Sequence, residues 1–227
     1  MKSIKELPDV RQMLVVDSLR YSLAMENRAY KLMWNSLRRI ERSKARHIPE
    51  RSALSALANA WQVIDMTHRI RGLAYQVKGF KQKSPAFQLL IRGTSKVVEF
   101  RNQLQHLNSY IPSVDGPTNP PMGSIAWVNA DPCASHAMTF GRGKKGVSFA
   151  TLPYSGDTLT FPMQFQFALG GRSINLVETN RDCRHFEEFL TNWLSSSGML
   201  EGFSQKIATI RLRVNPRSPA PPAADAD

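Results

Sequence analysis

The chain has 227 residues, 42% of them hydrophobic, and a formal net charge of +12. That apolar content over that length builds a sizeable core in one large domain or two small ones, which argues against wholesale disorder; no run approaches 18 apolar residues, so no segment is expected to span a membrane, and a membrane is not the partner expected. Residues 1–114 hold 20 Lys and Arg against 8 Asp and Glu, whereas residues 115–227 hold 10 of each, so the whole net charge lies in the first half.

Residues 8–46 contain no Gly and no Pro after Pro8, and Leu19, Leu23, Tyr30, Trp34, Leu37 and Ile40 fall near helical spacing, which predicts one long helix or two abutting ones. Pro49 ends that run, and a second helix is predicted over about 50–78 from Leu54, Leu57, Trp61, Ile64, His68 and Tyr75. Gly79 closes it, with Lys78 in its last turn. A third helix is predicted from Ser84 as cap and Pro85 in the first turn, running to about Ile111 before Pro112. Leu90, Val97, Leu104 and Ile111 recur every seven residues along it. Long helices joined by short links predict an up-and-down bundle.

The segment 113–123, SVDGPTNPPMG, reads as a linker. Beyond it the pattern turns to short β-branched and aromatic runs, at 125–129, 137–140, 147–151, 158–169 and 173–178. Pro162 argues that its strand lies at a sheet edge. GRGKKG, residues 141–146, reads as a hairpin tip. A helix is expected near 182–197, with Asp182 at its start and Gly198 past its end, then a last strand at 208–214 and a Pro/Ala-rich disordered tail. The fold class expected is therefore α+β: a basic helical bundle over 1–112, a linker over 113–123, a β-rich region with one helix over 124–214, and a tail over 215–227.

Familiar chemical signatures are absent. The chain has no Walker loop, no G-x-S-x-G elbow, no HExxH and no paired-Cys zinc spacing, so neither a metal nor a cofactor is expected. Cys133 and His136 supply too few ligands for zinc, and Cys133 and Cys183 read as free thiols in a reducing compartment. The polar N-terminus, MKSIKELPDV, lacks the apolar centre of a secretory signal, which together predicts a cytoplasmic protein.

The third predicted helix carries Arg101-Asn102-Gln103-Leu104-Gln105-His106. Arg followed by Asn and, after three more residues, His, late in a helical bundle, resembles the motif of the HEPN superfamily, over roughly residues 8–112. Arg42 and His47 share the spacing without the Asn. The resemblance implies a metal-independent ribonuclease that acts as a homodimer, with Arg101, Asn102 and His106 at its catalytic site. It also implies a role as a toxin or in phage defence, with a protein antitoxin as a partner.

The residue types suit that chemistry. Histidine transfers protons near neutrality, and arginine holds a permanent charge in a planar fork that fits phosphate oxygens. Asn102 lies one turn before His106, on the same face. Arg101 and His106, however, stand about 140° apart around an ideal helix, so one helix does not present both to one ligand. On the second helix, Asp65 and His68 are the candidates for a supporting polar shell if that helix meets the third. Asp65 also stands one turn before Arg69, where a structural ion pair accounts for it equally well.

The basic half makes RNA or another polyanion the expected partner, because a one-sided field attracts phosphate backbones. Two competing readings stay open: a non-catalytic module that binds RNA or a protein, and an ordinary solvated helical surface.

Overall fold

A computed structural model describes residues 10–43, 49–106, 122–128, 135–140, 165–169 and 172–197. The described residues are of mixed α+β class, with five helices and one four-stranded antiparallel sheet. The expected hairpin tip at 141–146, the strands at 147–151 and 208–214, most of the 113–123 segment and the tail fall outside them, as do Cys133 and His47.

Helix α1 spans Val10–Arg42 and α2 spans Glu50–Ala74. They run antiparallel. Gln12 Nε2, near the start of α1, donates to the Gln76 carbonyl just past α2 (3.2 Å), and Ser36 Oγ near the end of α1 meets Ser55 Oγ near the start of α2 (2.9 Å). The second helix stops at Ala74, a turn short of the expected end, and the chain continues through turns to Gly79, which has φ +90°.

The third predicted helix is two helices. α3 covers Pro85–Gly93 and α4 covers Lys96–Gln105, with a break at Thr94 and Ser95. Thr94 turns its hydroxyl back onto the Leu90 carbonyl, and Arg71 of α2 donates through Nη1 to Thr94 Oγ1 (2.7 Å) and to the Ile91 carbonyl. An arginine from a neighbouring helix thus supplies the donor that the interrupted ladder lacks.

The sheet order is β2-β1-β3-β4, with β1 at Ser124–Val128, β2 at Ser135–Thr139, β3 at Phe165–Leu169 and β4 at Arg172–Asn175. β3 pairs with β1 on one side and β4 on the other, so it lies inside the sheet. Pro162 and the rest of 158–164 lie outside the described residues, and the edge position expected for that strand does not hold for Phe165–Leu169. Phe165, Phe167 and Leu169 alternate towards the helices, as the period-2 pattern requires, and are fully buried or nearly so.

The last helix, here α5, begins six residues earlier than expected, at Leu176, and runs to Ser196. Asn175 caps it, its side-chain oxygen accepting from the amides of Val177 (3.0 Å) and Glu178 (3.4 Å). The run read as a strand over 173–178 is therefore strand only as far as Asn175. Asp182, expected at the helix start, is buried inside it instead.

Two apolar clusters hold these elements together. One joins Met33, Trp34 and Leu37 of α1 and Leu57, Trp61 and Ile64 of α2 to Phe100 of α4 and to Ile125, Trp127, Phe165 and Phe167 of the sheet. The other joins Leu19 and Leu23 of α1 and Ile70 of α2 to Phe87 and Leu90 of α3 and Phe186 and Leu190 of α5. Each fully buried side chain of this size contributes about 1.5–3 kcal/mol of transfer free energy. Trp61 meets Phe167 edge-on (ring centroids 4.9 Å apart), and Trp127 Nε1 donates to Glu41 Oε1 (2.7 Å), so residues from both sides of 113–123 share one core.

Gly123 enters β1 with φ +89°, and a Cβ built there would lie 2.6 Å from Phe167 Cζ and 2.8 Å from the Ala168 carbonyl oxygen. Both the left-handed backbone and the ring behind it reject a side chain. Gly123→Ala is expected to cost at least about 2 kcal/mol in urea unfolding. A change within about 0.5 kcal/mol, the usual range for an innocuous surface substitution, would contradict this account.

Candidate functional site

Helix α4 lies against α2, with Phe100 packed on Phe167 behind it (ring centroids 5.7 Å apart). Its outer side is tied to β4, where Arg172 Nη1 reaches Glu99 Oε2 (2.9 Å) and Lys96 Nζ donates to the Ser173 carbonyl (3.3 Å). Buried Phe100 fixes the rotation of α4, and that rotation carries the next residue, Arg101, to the seam with α2.

There the structure brings together three of the five residues singled out from the sequence. Arg101 Nε stands 3.7 Å from Asp65 Oδ1, and Asp65 Oδ2 accepts from Arg69 Nε at 2.9 Å. The carboxylate thus lies between two guanidinium groups. Arg101 Nη1 also donates to Gln105 Oε1 (2.8 Å), one turn along its own helix. Its Nε is buried with no hydrogen-bond partner, which leaves the contact with Asp65 a longer electrostatic one.

His68 joins this group from one turn further along α2. Burial lowers its pKa first and the Arg101 cation next; Asp65 opposes them, and Arg71 and Arg69 lower it further. The neutral imidazole is therefore favoured, the form that accepts a proton.

Asn102 and His106 are placed differently. Asn102 is exposed. His106 is the C-terminal cap of α4, exposed, its amide bonded to the Asn102 carbonyl (3.0 Å). No contact among the described residues joins the His106 ring to the group formed by Arg101, Asp65 and His68. The helix expected to run on to Ile111 ends at Gln105, and residues 107–111 fall outside those described.

Gln105 and Arg71 were not singled out from the sequence as part of this site. Gln105 was legible, one turn after Arg101. The part played by Arg71, holding the break from which α4 departs, depends on a contact 23 residues away in the chain and has no local signal.

Two other features bear on chemistry. Among the described residues no group of three or more His, Cys, Asp or Glu could hold a metal ion. A cavity of about 250 Å³ opens between α1 and α5, lined by Asp17, Arg20, Tyr21, Glu187 and Leu190 among others, none of them a residue of the Arg101 group. Among the described residues no helix is long and apolar enough to cross a membrane.

No family model, curated protein or solved structure matches this chain.

Proposed function

We propose that the chain is a cytoplasmic, metal-independent endoribonuclease of the HEPN type, acting as a homodimer, with Arg101 and His106 as its reacting pair and Asn102 beside them. The observation that carries this reading is the seam between α2 and α4. It holds a permanent cation, Arg101, 3.7 Å from a carboxylate, Asp65, with a histidine favoured in its neutral form alongside.

In this reading the RNA 2′-oxygen attacks the adjacent phosphorus and the bond to the 5′-oxygen breaks. A base takes the 2′-hydroxyl proton, an acid gives one to the leaving 5′-oxygen, and a 2′,3′-cyclic phosphate remains. His106 performs one of these transfers, and Arg101 stabilises charge on the phosphorane. Asp65 and His68 act through Arg101 as positioning residues. The divergence of Arg101 and His106 around α4 is the reason for the homodimer, since a second copy brings another motif to the same cleft. A toxin or phage-defence role with a protein antitoxin follows from the resemblance alone.

A second reading has an observation in its favour. Arg101 is already engaged by Asp65 and Gln105, and His106 is exposed at the helix end with no contact to them among the described residues. That arrangement suits a module that binds RNA or a protein without cutting.

Incubation with RNA in EDTA separates the two. Cleavage with cyclic phosphate ends is expected, from a species whose mass by light scattering is that of two chains. RNA left intact with and without added magnesium would decide for the binding module.

A further inference from the structure

The exposed side of α1 divides along its length. Its first half presents Val10, Leu14, Tyr21 and Met25, and its second half presents Arg28, Lys31, Arg38, Arg39 and Arg42. On an ideal helix these five cations fall within an arc of about 100° and a length of about 21 Å, with exposed Asn35 in the middle of the same arc. They form a straight ridge.

No acid offsets it. None of the exposed residues of α1 is acidic: Asp17 and Glu41 are half-buried and Glu26 is buried. Glu41, the acid nearest the ridge in the chain, accepts from Trp127. Among the described residues no ion pair engages any of the five. Arg39 and Arg42 lie in the last turn of α1, where cations complement the helix dipole. That effect fades within a turn and does not account for Arg28, Lys31 or Arg38.

We infer that this ridge, Arg28–Lys31–Arg38–Arg39–Arg42, is a docking surface for the phosphate backbone of a base-paired nucleic acid. The proposal deepens the polyanion reading above and rests on it, but places binding on α1 rather than at Arg101. A row of about 21 Å spans the axial rise of about six base steps of a duplex.

Two absences select the duplex. Unpaired strands are held by aromatic side chains on which bases stack, and within 28–42 Trp34 is buried and Tyr30 half-buried. A bilayer surface takes an apolar face into the headgroups, and within the ridge Leu32 alone is an exposed large apolar side chain. Such a surface reads charge spacing and not base sequence.

The test compares two triple variants of the full chain with equal loss of charge. Arg28→Gln, Lys31→Gln and Arg38→Gln neutralise the ridge; Lys81→Gln, Lys83→Gln and Arg92→Gln neutralise exposed cations elsewhere. Binding is read by fluorescence anisotropy over a salt series. The probes are an uncleavable 2′-O-methyl RNA duplex, a DNA duplex of the same sequence, an unpaired strand, and phosphatidylserine vesicles.

The ridge variant is expected to lose at least about tenfold in duplex affinity. Its log–log salt slope should fall by about 0.9 for each phosphate contact removed. The control triple is expected to stay within about threefold of the parent, because its cations lie off the ridge. The two duplexes distinguish a general duplex ligand from RNA specifically. If the ridge triple does not fold, the single variants, each losing about one unit of slope, give the same answer.

Equal losses in both triples overturn the inference, as does tighter binding of the unpaired strand. Vesicle binding without duplex binding overturns it in favour of a membrane. The nuclease reading fails separately. A protein that binds duplex through the ridge but cuts no RNA keeps this surface and loses that activity; one that cuts RNA yet binds duplex normally after ridge neutralisation does the reverse.

Discussion

His106→Ala and Arg101→Ala are each expected to lower RNA cleavage by about two to four orders of magnitude while leaving a folded protein, because in the proposed reading His106 transfers a proton and Arg101 stabilises charge on the phosphorane. Neither side chain supports the core. His106 is exposed, and truncating an exposed side chain usually changes stability by no more than about 0.5 kcal/mol. Arg101 is half-buried, but Asp65 keeps its closer partner, Arg69 at 2.9 Å, when Arg101 is removed. His47→Ala is the matched control, from the Arg42–His47 pair that carries the same spacing without the Asn; Arg42 is left intact because it belongs to the α1 ridge. Its activity should stay near that of the parent, and damage equal to that of His106→Ala would show that the effect came through folding. Asp65→Asn serves a different purpose. Asp65 raises the pKa of His68 against burial and the arginines, so its loss should push that pKa lower still. If His68 bears on the rate through Arg101, the acid limb of the pH–rate profile moves to lower pH in Asp65→Asn. A purely structural role for Asp65 would lower the rate and leave the profile unmoved.

The parts of the fold that could be read from the sequence were those decided locally. α1 and α2 follow from apolar side chains at three-four spacing in stretches almost free of Gly and Pro. Phe165 and Phe167 follow from alternation. The break between α3 and α4 carried one weak signal, Gly93 at the end of α3, but Leu90 and Val97 keep their seven-residue spacing straight through it and neither Thr94 nor Ser95 is a strong helix breaker. Arg71 stabilises it from another helix. The start of α5 did carry a signal. Asn175 followed three residues later by Glu178 is an N-terminal capping pattern, but the β-branched and apolar residues around it gave a competing strand pattern, and Asp182 offered a second cap. At the site, Asp65 and Arg69 are a local pair and were legible. Arg101 reaches them only because Phe100 turns α4 towards α2.

Stability is expected to fall as pH rises from about 5 to 8, and Glu26→Gln is expected to remove most of that fall. Glu26 lies on α1 with only 1% of its surface exposed. Both of its oxygens accept from Asn180 Nδ2 of α5, at 3.3 and 2.9 Å, a pairing across 154 residues that no local pattern announces. Burial pushes its pKa from 4.5 up to about 8, against the lowering effect of the Asn180 hydrogen bond; Glu187 raises it further and Arg184 lowers it. Cys183 lies close by, its own thiol pushed up by burial and then by the Glu26 charge, with Thr67 Oγ1 3.7 Å from its sulfur. Between pH 4.5 and 8 the folded chain therefore keeps a proton that the unfolded chain has released. The contribution of Glu26 is fully present below the lower value and is lost as pH rises through the upper one, at about 1 kcal/mol per pH unit. A glutamine fills the same space, still accepts from Asn180 and never ionises. At pH 8 Glu26→Gln should melt about 5–10 °C above the parent, with the two converging towards pH 5. Differential scanning calorimetry from pH 5 to 8 measures both chains under the same conditions, so other titrating groups cancel in the difference. Parallel curves would show that Glu26 is already ionised in the folded protein, with the α1–α5 contact accommodating its charge.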